Sequence, residues 1–449
     1  MMNMRFTCAR LAVATSLAVL AAASHAIDLA GSYERARAVD PTLLAAQQAL
    51  LAGREKAVQG RALLLPQVSL GASVARVDER TSGGAELPDT SGSHSGRASQ
   101  VAVQLAQPIY NLKARSEKRQ LEQQTGLAEV RHRDAEQDLI QRVGEAYFNV
   151  LLAQETLRVV QAEQAAVKLQ RDRAQARFDV GRGKITDVQE TQARLDVVAS
   201  REVSARSTLA LRQTQYRELT GVEADGLAPL RAGFVPQPPQ PLDLSQWQSR
   251  GSDSNTRVQL RRGELAIADA EIAKYKLDAR PTLDLVASYT YKGQSSGLST
   301  PVSPDSSRSA VIGVQLSLPL YTGGAIDSRQ RESIAKKSQA EQELGAALRD
   351  MRLQVQDAYL TVQTGVSRVG ALEQSVRSAQ TALEATTLGR DLGTRTELDV
   401  LDAQQRVYTA QLDLAQARNE YLLGRLRLAA AAGELQESDL RALNAHLSN

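Results

Sequence analysis

The stretch GTRTELDVLDAQ, residues 393–404, decides the fold, because a second stretch of the same design, GRGKITDVQETQ, occupies residues 181–192. Each begins with a glycine, continues through a short polar turn and passes into the acidic first turn of a helix. Glycine suits the left-handed position that ends a helix, and acidic residues favour the positive start of the next one. Each stretch therefore predicts a helix–turn–helix tip, in which Gly181 or Gly393 ends the first helix.

The two stretches belong to a longer internal repeat. Tyr147 recurs as Tyr359 and Gly221 recurs as Gly433, each 212 residues later, which is also the distance between the two turns. A constant offset over most of a chain indicates two copies of one structural unit. We accordingly expect a leader at 1–26, a first copy at 27–227, a proline-rich connector at 228–247, a second copy at 248–436 and a tail at 437–449.

Each copy is predicted to contain one very long helix. No proline interrupts residues 111–179 or 325–392, and about 69 helical residues would span about 100 Å. The helix after the second turn carries a heptad seam of alternating large and small side chains, which lets a neighbouring helix approach closely. The seam consists of Val400, Ala403, Val407, Ala410, Leu414, Ala417, Tyr421, Gly424, Leu428 and Ala431. A second stripe, which includes Leu401 and Tyr408, lies beside the seam, so this helix is expected to have neighbours on two sides.

Four segments, two in each copy, alternate apolar with polar side chains. The pattern is clearest at 67–74, 101–109, 283–291 and 312–318. Alternation over about ten residues is typical of strands in an outer-membrane β-barrel, and Pro108 and Pro319 mark the expected strand ends. The smallest membrane barrels have eight strands, so a chain with four is predicted to oligomerise. Two copies would supply eight strands around a filled interior, and three would supply twelve around a lumen.

The first 26 residues have the form of a secretory signal. Arg5 and Arg10 precede the apolar run LAVATSLAVLAAA, and a small-residue cleavage site ends at Ala26. The single cysteine, Cys8, lies inside this signal, so no disulfide or thiol chemistry is expected in the mature chain. The formal net charge is +3, and removal of the two signal arginines leaves the chain nearly neutral, which argues against nucleic-acid binding. No later stretch has 18 consecutive apolar residues, so no membrane-spanning helix is expected.

The residues give little support for an enzyme, a cofactor or a metal site. His94, His132 and His446 are far apart in the sequence, and GRGK at 181–184 lacks the spacing of a phosphate-binding loop. The other alternative is a soluble periplasmic coiled-coil scaffold or adaptor, which would explain the heptads but not the four alternating segments. Cell fractionation separates these possibilities, because a scaffold would be released with the soluble periplasm.

Several motifs together resemble the TolC family of outer-membrane channels. They are RFDVGRGKITDVQETQARLD, YFNVL, SLPLYTGG, VGALEQSVRSAQTALEATTLGRDLGTRTELDVLDAQ and the ending LRALNAHLSN. The resemblance implies an α+β membrane protein, a homotrimer whose twelve-stranded outer-membrane β-barrel continues into a periplasmic α-helical coiled-coil barrel. The implied partners are outer-membrane lipid, a periplasmic adaptor (membrane fusion) protein and an inner-membrane ABC, RND or MFS transporter. The implied function is an exit duct for type I protein secretion or multidrug efflux.

The resemblance assigns roles to residues at both tips. Asp399 and Asp402, three positions apart and hence on one helical face, match an aspartate ring at the narrowest part of the tunnel entrance. Such a ring is expected to favour cations and to bind multivalent ones. The turn residues expected to dock the adaptor are Gly181, Gly183, Gly393 and Thr394.

The resemblance also implies a latch between the tips. Arg395 matches a family arginine that pairs with the opposite tip, here Thr186 and Asp187. Arg390 stands where the family latch has a tyrosine, and a guanidinium there would bind Asp187 through two hydrogen bonds. The acids also suit a simpler role, because Asp187 and Asp399 lie where a helix begins and a carboxylate stabilises the first turn.

Overall fold

The structure is a computed structural model that describes residues 27–81, 92–231, 233–295, 298 and 305–448. The predicted signal at 1–26 lies outside the described residues. The helices are α1 Leu29–Val39, α2 Pro41–Ala62, α3 Leu112–Asp179, α4 Ile185–Thr220, α5 Leu244–Ser254, α6 Thr256–Lys276, α7 Ala325–Asp391, α8 Glu397–Ala431 and α9 Glu437–Asn444. The strands are β1 Gln67–Thr81, β2 Gly92–Tyr110, β3 Thr282–Gln294 and β4 Ser306–Ser317.

Two very long helices form the frame of the molecule. α3 has 68 residues and α7 has 67, and the ends of both agree with prediction to within one residue. α2 and α6 pack against α3 in one half of its length, whereas α4 and α8 pack against it in the other half. α7 packs against α6 and α8, so the order is α2–α3–α6–α7 beside the sheet and α4–α3–α8–α7 towards the tips. Among the residues that the structure describes, no helix combines the length and the apolar composition needed to cross a membrane.

The heptad seam of α8 faces α7. Val400 and Tyr421 are buried in it, and the small residues between the large ones admit the neighbouring helix. A Cβ on Gly424 would lie 2.9 Å from the side chain of Thr361, and one on Gly365 would lie 3.2 Å from the ring of Tyr421. The other side of α8 packs against α3, which confirms the predicted neighbours on two sides.

The four strands form one antiparallel sheet in the order β1–β2–β3–β4. Apolar residues remain in register across it, since Leu70 lies opposite Val103, Val103 opposite Tyr289 and Tyr289 opposite Ala310. The strands have 12 to 19 residues, more than the alternating segments predict, because pairing continues into polar sequence. The fourth strand ends before its proline, as predicted. Pro108, however, lies inside β2 at a register shift, so the prediction that it ends the strand is wrong; a bulge tolerates a residue without an N–H.

A hydrophobic core lies where the connector crosses the helices. Tyr147 is fully buried there, and its hydroxyl donates to the carbonyl oxygen of Ala228 at 2.8 Å. The hydroxyl of Tyr359, 212 residues later, donates to the carbonyl oxygen of Leu242. α5 begins inside the segment assigned to the connector, and α9 adds the buried Leu440 to the core from the predicted tail.

Candidate functional site at the helical tips

The first tip, between α3 and α4, turns at a left-handed glycine. Gly181 has φ +72°, and its N–H donates to the carbonyl oxygen of Phe178 at 2.9 Å. The N–H of Arg182 donates to the carbonyl oxygen of Arg177 at 2.8 Å, which completes a Schellman motif. Gly183 has no room for a side chain, because a Cβ would lie 2.9 Å from the backbone nitrogen of Phe178.

The second tip, between α7 and α8, repeats this backbone. Gly393 has φ +78°, and its N–H donates to the carbonyl oxygen of Arg390 at 2.9 Å. The N–H of Thr394 donates to the carbonyl oxygen of Gly389 at 2.8 Å. Both predicted glycines therefore end a long helix in the left-handed position, which confirms the turn geometry expected from the sequence.

The two tips differ in how the next helix begins. α8 starts with a capping box, in which the Asp399 N–H donates to the Thr396 hydroxyl at 3.1 Å and the Thr396 N–H donates to the Asp399 carboxylate at 2.8 Å. The backbone hydrogen bond from Thr396 is the largest cause that lowers the pKa of Asp399. Among the described residues none caps α4 through its side chain: the helix follows Lys184, with Asp187 in its first turn and Thr186 exposed. Both acids therefore lie in the first turn of their helix, as predicted, but only Asp399 forms a hydrogen-bonded cap.

The two acids of the predicted ring share one groove between α7 and α8. Asp399 and Asp402 both line a cavity of about 300 Å³, together with Arg395 and Arg406. Asp402 and Arg406 also line the adjoining cavity of about 500 Å³, which extends to Asp413. The acids therefore lie on one helical face, as predicted, and each has an arginine about one turn away.

Arg395 lies at its own tip. A Cβ on Gly389 would come within 2.8 Å of the Arg395 Cγ, so the arginine packs over this glycine. The charge of Arg395 also helps to lower the pKa of Asp399, after the hydrogen bonds from Thr396. Its pairing with the opposite tip of a neighbouring copy stays a prediction.

Arg390 has partners other than the predicted one. Its guanidinium forms an ion pair with Asp391 at 2.7 Å and another with Glu397 at 3.4 Å, and it donates to Gln170 at 3.4 Å. Burial lowers the pKa of Arg390, but the two carboxylates outweigh it and leave the pKa raised. Within the described chain the guanidinium of Arg390 makes no contact with Asp187, and its two-bond contact with Asp187 of the opposite tip stays a prediction.

Glu397 was not singled out by the sequence pattern, yet it is the centre of a buried charge cluster. Its side chain is 6% exposed and accepts hydrogen bonds from Arg177 of α3 and Arg390 of α7. It thereby joins the first hairpin, α3–α4, to the second, α7–α8. One signal could have revealed it: Glu397 precedes Leu401 by one turn and Tyr408 by three, so it extends the stripe that faces α3.

Comparison with known proteins decides the family. A family model described as outer membrane efflux protein matches residues 32–222 and 249–434. The chain belongs to the outer membrane efflux protein family. The outer membrane protein TolC of Escherichia coli (strain K12) is 33% identical over 454 residues, which cover 97% of this chain and 88% of that protein. The alkaline protease secretion protein AprF of Pseudomonas aeruginosa is 30% identical, over 94% of this chain and 88% of its own length.

Solved structures of outer membrane channels have the same fold. The CmeC outer membrane channel of Campylobacter jejuni matches with a TM-score of 0.77 at 17% identity, over 94% of this chain and 90% of its own. The outer membrane protein VceC of Vibrio cholerae matches with a TM-score of 0.76 at 18% identity, over 90% of this chain and 96% of its own. At such identities the likeness concerns the fold, a mostly helical chain with one four-stranded antiparallel sheet.

Membership in the outer membrane efflux protein family settles the broad role. The protein is an outer-membrane exit duct with a periplasmic helical tunnel. The family is one of transport channels, and a soluble periplasmic scaffold is not its role.

Proposed function

We propose that three copies of the chain close into one duct, a twelve-stranded barrel on a tunnel of helices. The observation that carries this proposal is the pair of open sheet edges: within the described chain, β1 and β4 each have one neighbouring strand. An open edge needs a partner or a cover, because its N–H and C=O groups are otherwise unpaired. These edge strands also expose Leu70, Val74, Ile312 and Leu316, each between 68% and 76%.

The helical edges lie on the same two sides of the chain. α2 leads into β1, and β4 leads into α7. α2 exposes Leu44, Leu51 and Val58 at intervals of seven, and α7 exposes Leu353 and Leu360 at the same interval. Such stripes are coiled-coil seams that lack their partner in one chain. We infer that α7 of one copy packs against α2 and α4 of the next, while β4 pairs with β1.

The number of copies follows from closure. A contact between two different edges is heterologous, and it closes into a ring when the rotation between copies allows it. Eight strands from two copies would leave an interior filled by side chains, whereas larger barrels enclose a channel. Three copies are therefore the smallest assembly that combines a closed sheet with a lumen.

Two structural repeats are a further part of the proposal. The copies are 27–227 and 248–436, with a signal at 1–26, a connector at 228–247 and a tail at 437–449. Tyr147 and Tyr359 support this division, since both donate to carbonyl groups of the connector. Gly221 and Gly433 support it too, because both follow a helix with φ near +72°.

In the trimer, Asp399 and Asp402 would form a ring of six carboxylates at the tunnel entrance. Their common groove supports this assignment, and so does the exposure of Asp402 to solvent. A ring of acids at a constriction favours cations. The latch, Arg390 and Arg395 with Thr186 and Asp187, would then act between copies.

The turns at the two tips are the proposed docking site for a periplasmic adaptor, which links the duct to an ABC, RND or MFS transporter. The docking residues are Gly181, Gly183, Gly393 and Thr394. Apolar side chains beside them support this role: Val180 is 69% exposed, Leu392 72% and Ile185 48%. Such residues clustered at the far end of a hairpin indicate an interaction surface.

For the cargo, we propose proteins of type I secretion, with efflux of small toxic compounds as the second candidate. AprF and the proteases secretion protein PrtF of Dickeya chrysanthemi match over 94% and 96% of this chain. Efflux is favoured by the outer membrane efflux protein BepC of Brucella suis, which matches over 76%.

Deletion of the gene, with and without complementation, tests the cargo. Loss of proteins from the culture supernatant supports secretion, and loss of drug resistance alone supports efflux. A deletion strain that keeps both overturns the proposal.

A further inference from the structure

The groove that holds the two acids is lined by charges of both signs, one from the turn before α8 and four from α8 itself. Arg395 precedes Asp399 by four residues, Arg406 follows Asp402 by four, and Asp413 lies seven further on. Within α8, spacings of three, four and seven place Asp399, Asp402, Arg406 and Asp413 on one helical face. The lining of the two cavities agrees, because all five residues line one or both of them.

Arg406 keeps its charge free within this groove. It is exposed, and among the described residues it has no ion-pair partner. By contrast, Arg418 of the same helix pairs with Glu373 at 2.8 Å, and Arg427 pairs with Glu145 at 2.9 Å. Within the described chain, α7 supplies only uncharged residues to the two cavities. The charge of Arg406 is therefore directed at the same space as that of Asp402.

The distance along the helix makes this charge effective. Four residues correspond to a rise of about 6 Å, which is shorter than the Debye length of about 8 Å at physiological salt. An ion beside Asp402 is therefore only partly screened from the charge of Arg406. Arg395 lies on the other side of the acids along the chain, so the two carboxylates lie between the guanidiniums of Arg395 and Arg406.

We propose that Arg406 sets the ion selectivity of the tunnel entrance by opposing the charge of Asp399 and Asp402. The proposal rests on the proposed function, in which this face of α8 lines the lumen. In three copies, six carboxylates would lie beside six guanidiniums of Arg395 and Arg406. The entrance then prefers cations less strongly, and holds multivalent cations less tightly, than its acids alone would dictate.

Planar bilayers with the purified protein test the proposal. The reversal potential in a KCl gradient and the La³⁺ concentration for half-block are measured for Arg406→Gln, Arg406→Lys, Asp399→Asn and Asp402→Asn. Arg406→Gln is expected to move the reversal potential towards the potassium equilibrium value and to lower the blocking concentration about tenfold at low salt. Asp402→Asn should change both quantities in the opposite direction. Arg406→Lys should behave like the parent, because it keeps the charge.

Arg427→Gln is the matched control, since this arginine lies on the same helix about 30 Å from Arg406. It should leave both quantities unchanged. If Asp402→Asn alters selectivity while Arg406→Gln does not, the role of Arg406 is wrong and the aspartate ring stands. If neither Asp399→Asn nor Asp402→Asn alters it, the ring itself is wrong, and the inference fails with it.

Discussion

Arg177 at the end of α3 donates a hydrogen bond to Glu397 at the start of α8, so the two helical hairpins of one chain are joined at their tips. Arg390 of α7 reaches the same carboxylate at 3.4 Å. A buried carboxylate needs such partners, because an unpaired charge away from water is strongly destabilising. The two tips of a chain are therefore expected to move together.

Glu397→Gln should loosen both tips. The neutral amide no longer stabilises the guanidiniums of Arg177 and Arg390, which is expected to cost about 1–3 kcal/mol of local stability. Amide hydrogen exchange, followed by mass spectrometry, should become faster at 170–185 and at 388–404. Unchanged exchange at both tips would show that the cluster does not couple them.

Glu420→Gln is the control for this experiment. Glu420 pairs with Arg368 at 2.8 Å, but this ion pair is exposed and joins α7 to α8 within one hairpin. Exposed ion pairs contribute about 0–1 kcal/mol, so exchange at the tips should stay like that of the parent. If exchange at the tips became as fast in Glu420→Gln as in Glu397→Gln, the buried cluster would have no special role in joining the tips.

Asp399→Ala and Asp402→Ala should differ in their effect on the start of α8. Asp399 accepts the capping bond from Thr396, whereas Asp402 lies beyond the capping box. Hydrogen exchange at 396–402 should therefore rise only in Asp399→Ala. The pKa of Asp399 is lowered, so its cap is complete above the ordinary aspartate pKa of about 3.9 and is lost as the pH falls through the lower folded value. Equal exchange in the two variants contradicts the capping assignment.

Asp40 should make the protein sensitive to acid. Its buried carboxylate accepts two hydrogen bonds from Arg142, at 3.0 and 2.9 Å, and one from the N–H of Leu43 at the start of α2. The side-chain bonds from Arg142 are the main reason that the pKa of Asp40 is lowered. A lowered pKa contributes stability that is present above about pH 3.9 and is lost as the pH falls through the folded value.

Asp40→Asn separates the charge from the cap, because asparagine also caps helices. At neutral pH the variant should lose about 1.5–3 kcal/mol of the free energy of unfolding, since a charged hydrogen bond is removed. Thermal unfolding followed by circular dichroism in detergent, between pH 6 and pH 3, should show a flatter pH dependence than in the parent. Parallel curves would mean that Asp40 is not the group that responds to acid.

The purified protein should be a trimer in mild detergent. Light scattering should give about 140 kDa, three times the 48.5 kDa chain less its signals. Leu51→Asp, on the open stripe of α2, should yield smaller species, because it puts a charge into the contact between copies. Leu169→Asp should not, although Leu169 is 51% exposed and Leu51 53%, since α3 lies inside the row of helices. A monomeric parent protein rules the assembly out.

The ends of the two long helices could be predicted because they depend on residues close to them in the sequence. The absence of proline between 112 and 178, and glycines that adopt φ > 0 at 181 and 393, set the ends of α3 and α7 to within a residue. The lengths of the strands were underestimated from the sequence. The backbone pairing of β1 with β2 continues through Asp78 and Glu79, where the alternation of apolar with polar side chains has stopped. Hydrogen bonds between backbones do not depend on that alternation.

The tip site was predictable only in part. The common face of Asp399 and Asp402 follows from helical spacing alone. The partners of Glu397 do not, because Arg177 lies 220 residues away in the sequence. Nor does the local sequence show that Arg390 contacts Glu397 across the turn of its own tip.

The open edges of the sheet have a consequence for what limits the number of chains in the assembly. β4 of one chain can pair with β1 of any other chain. The same contact can therefore close into a ring or continue into an open-ended polymer. Strand pairing does not set the angle between neighbouring chains. The seams of α2 and α7 lie on the same two sides of the chain as the open strand edges, so their packing can set it. Packing of these helical seams into the tunnel then fixes the angle between copies and limits the assembly to a fixed number of chains, which strand pairing alone would not do.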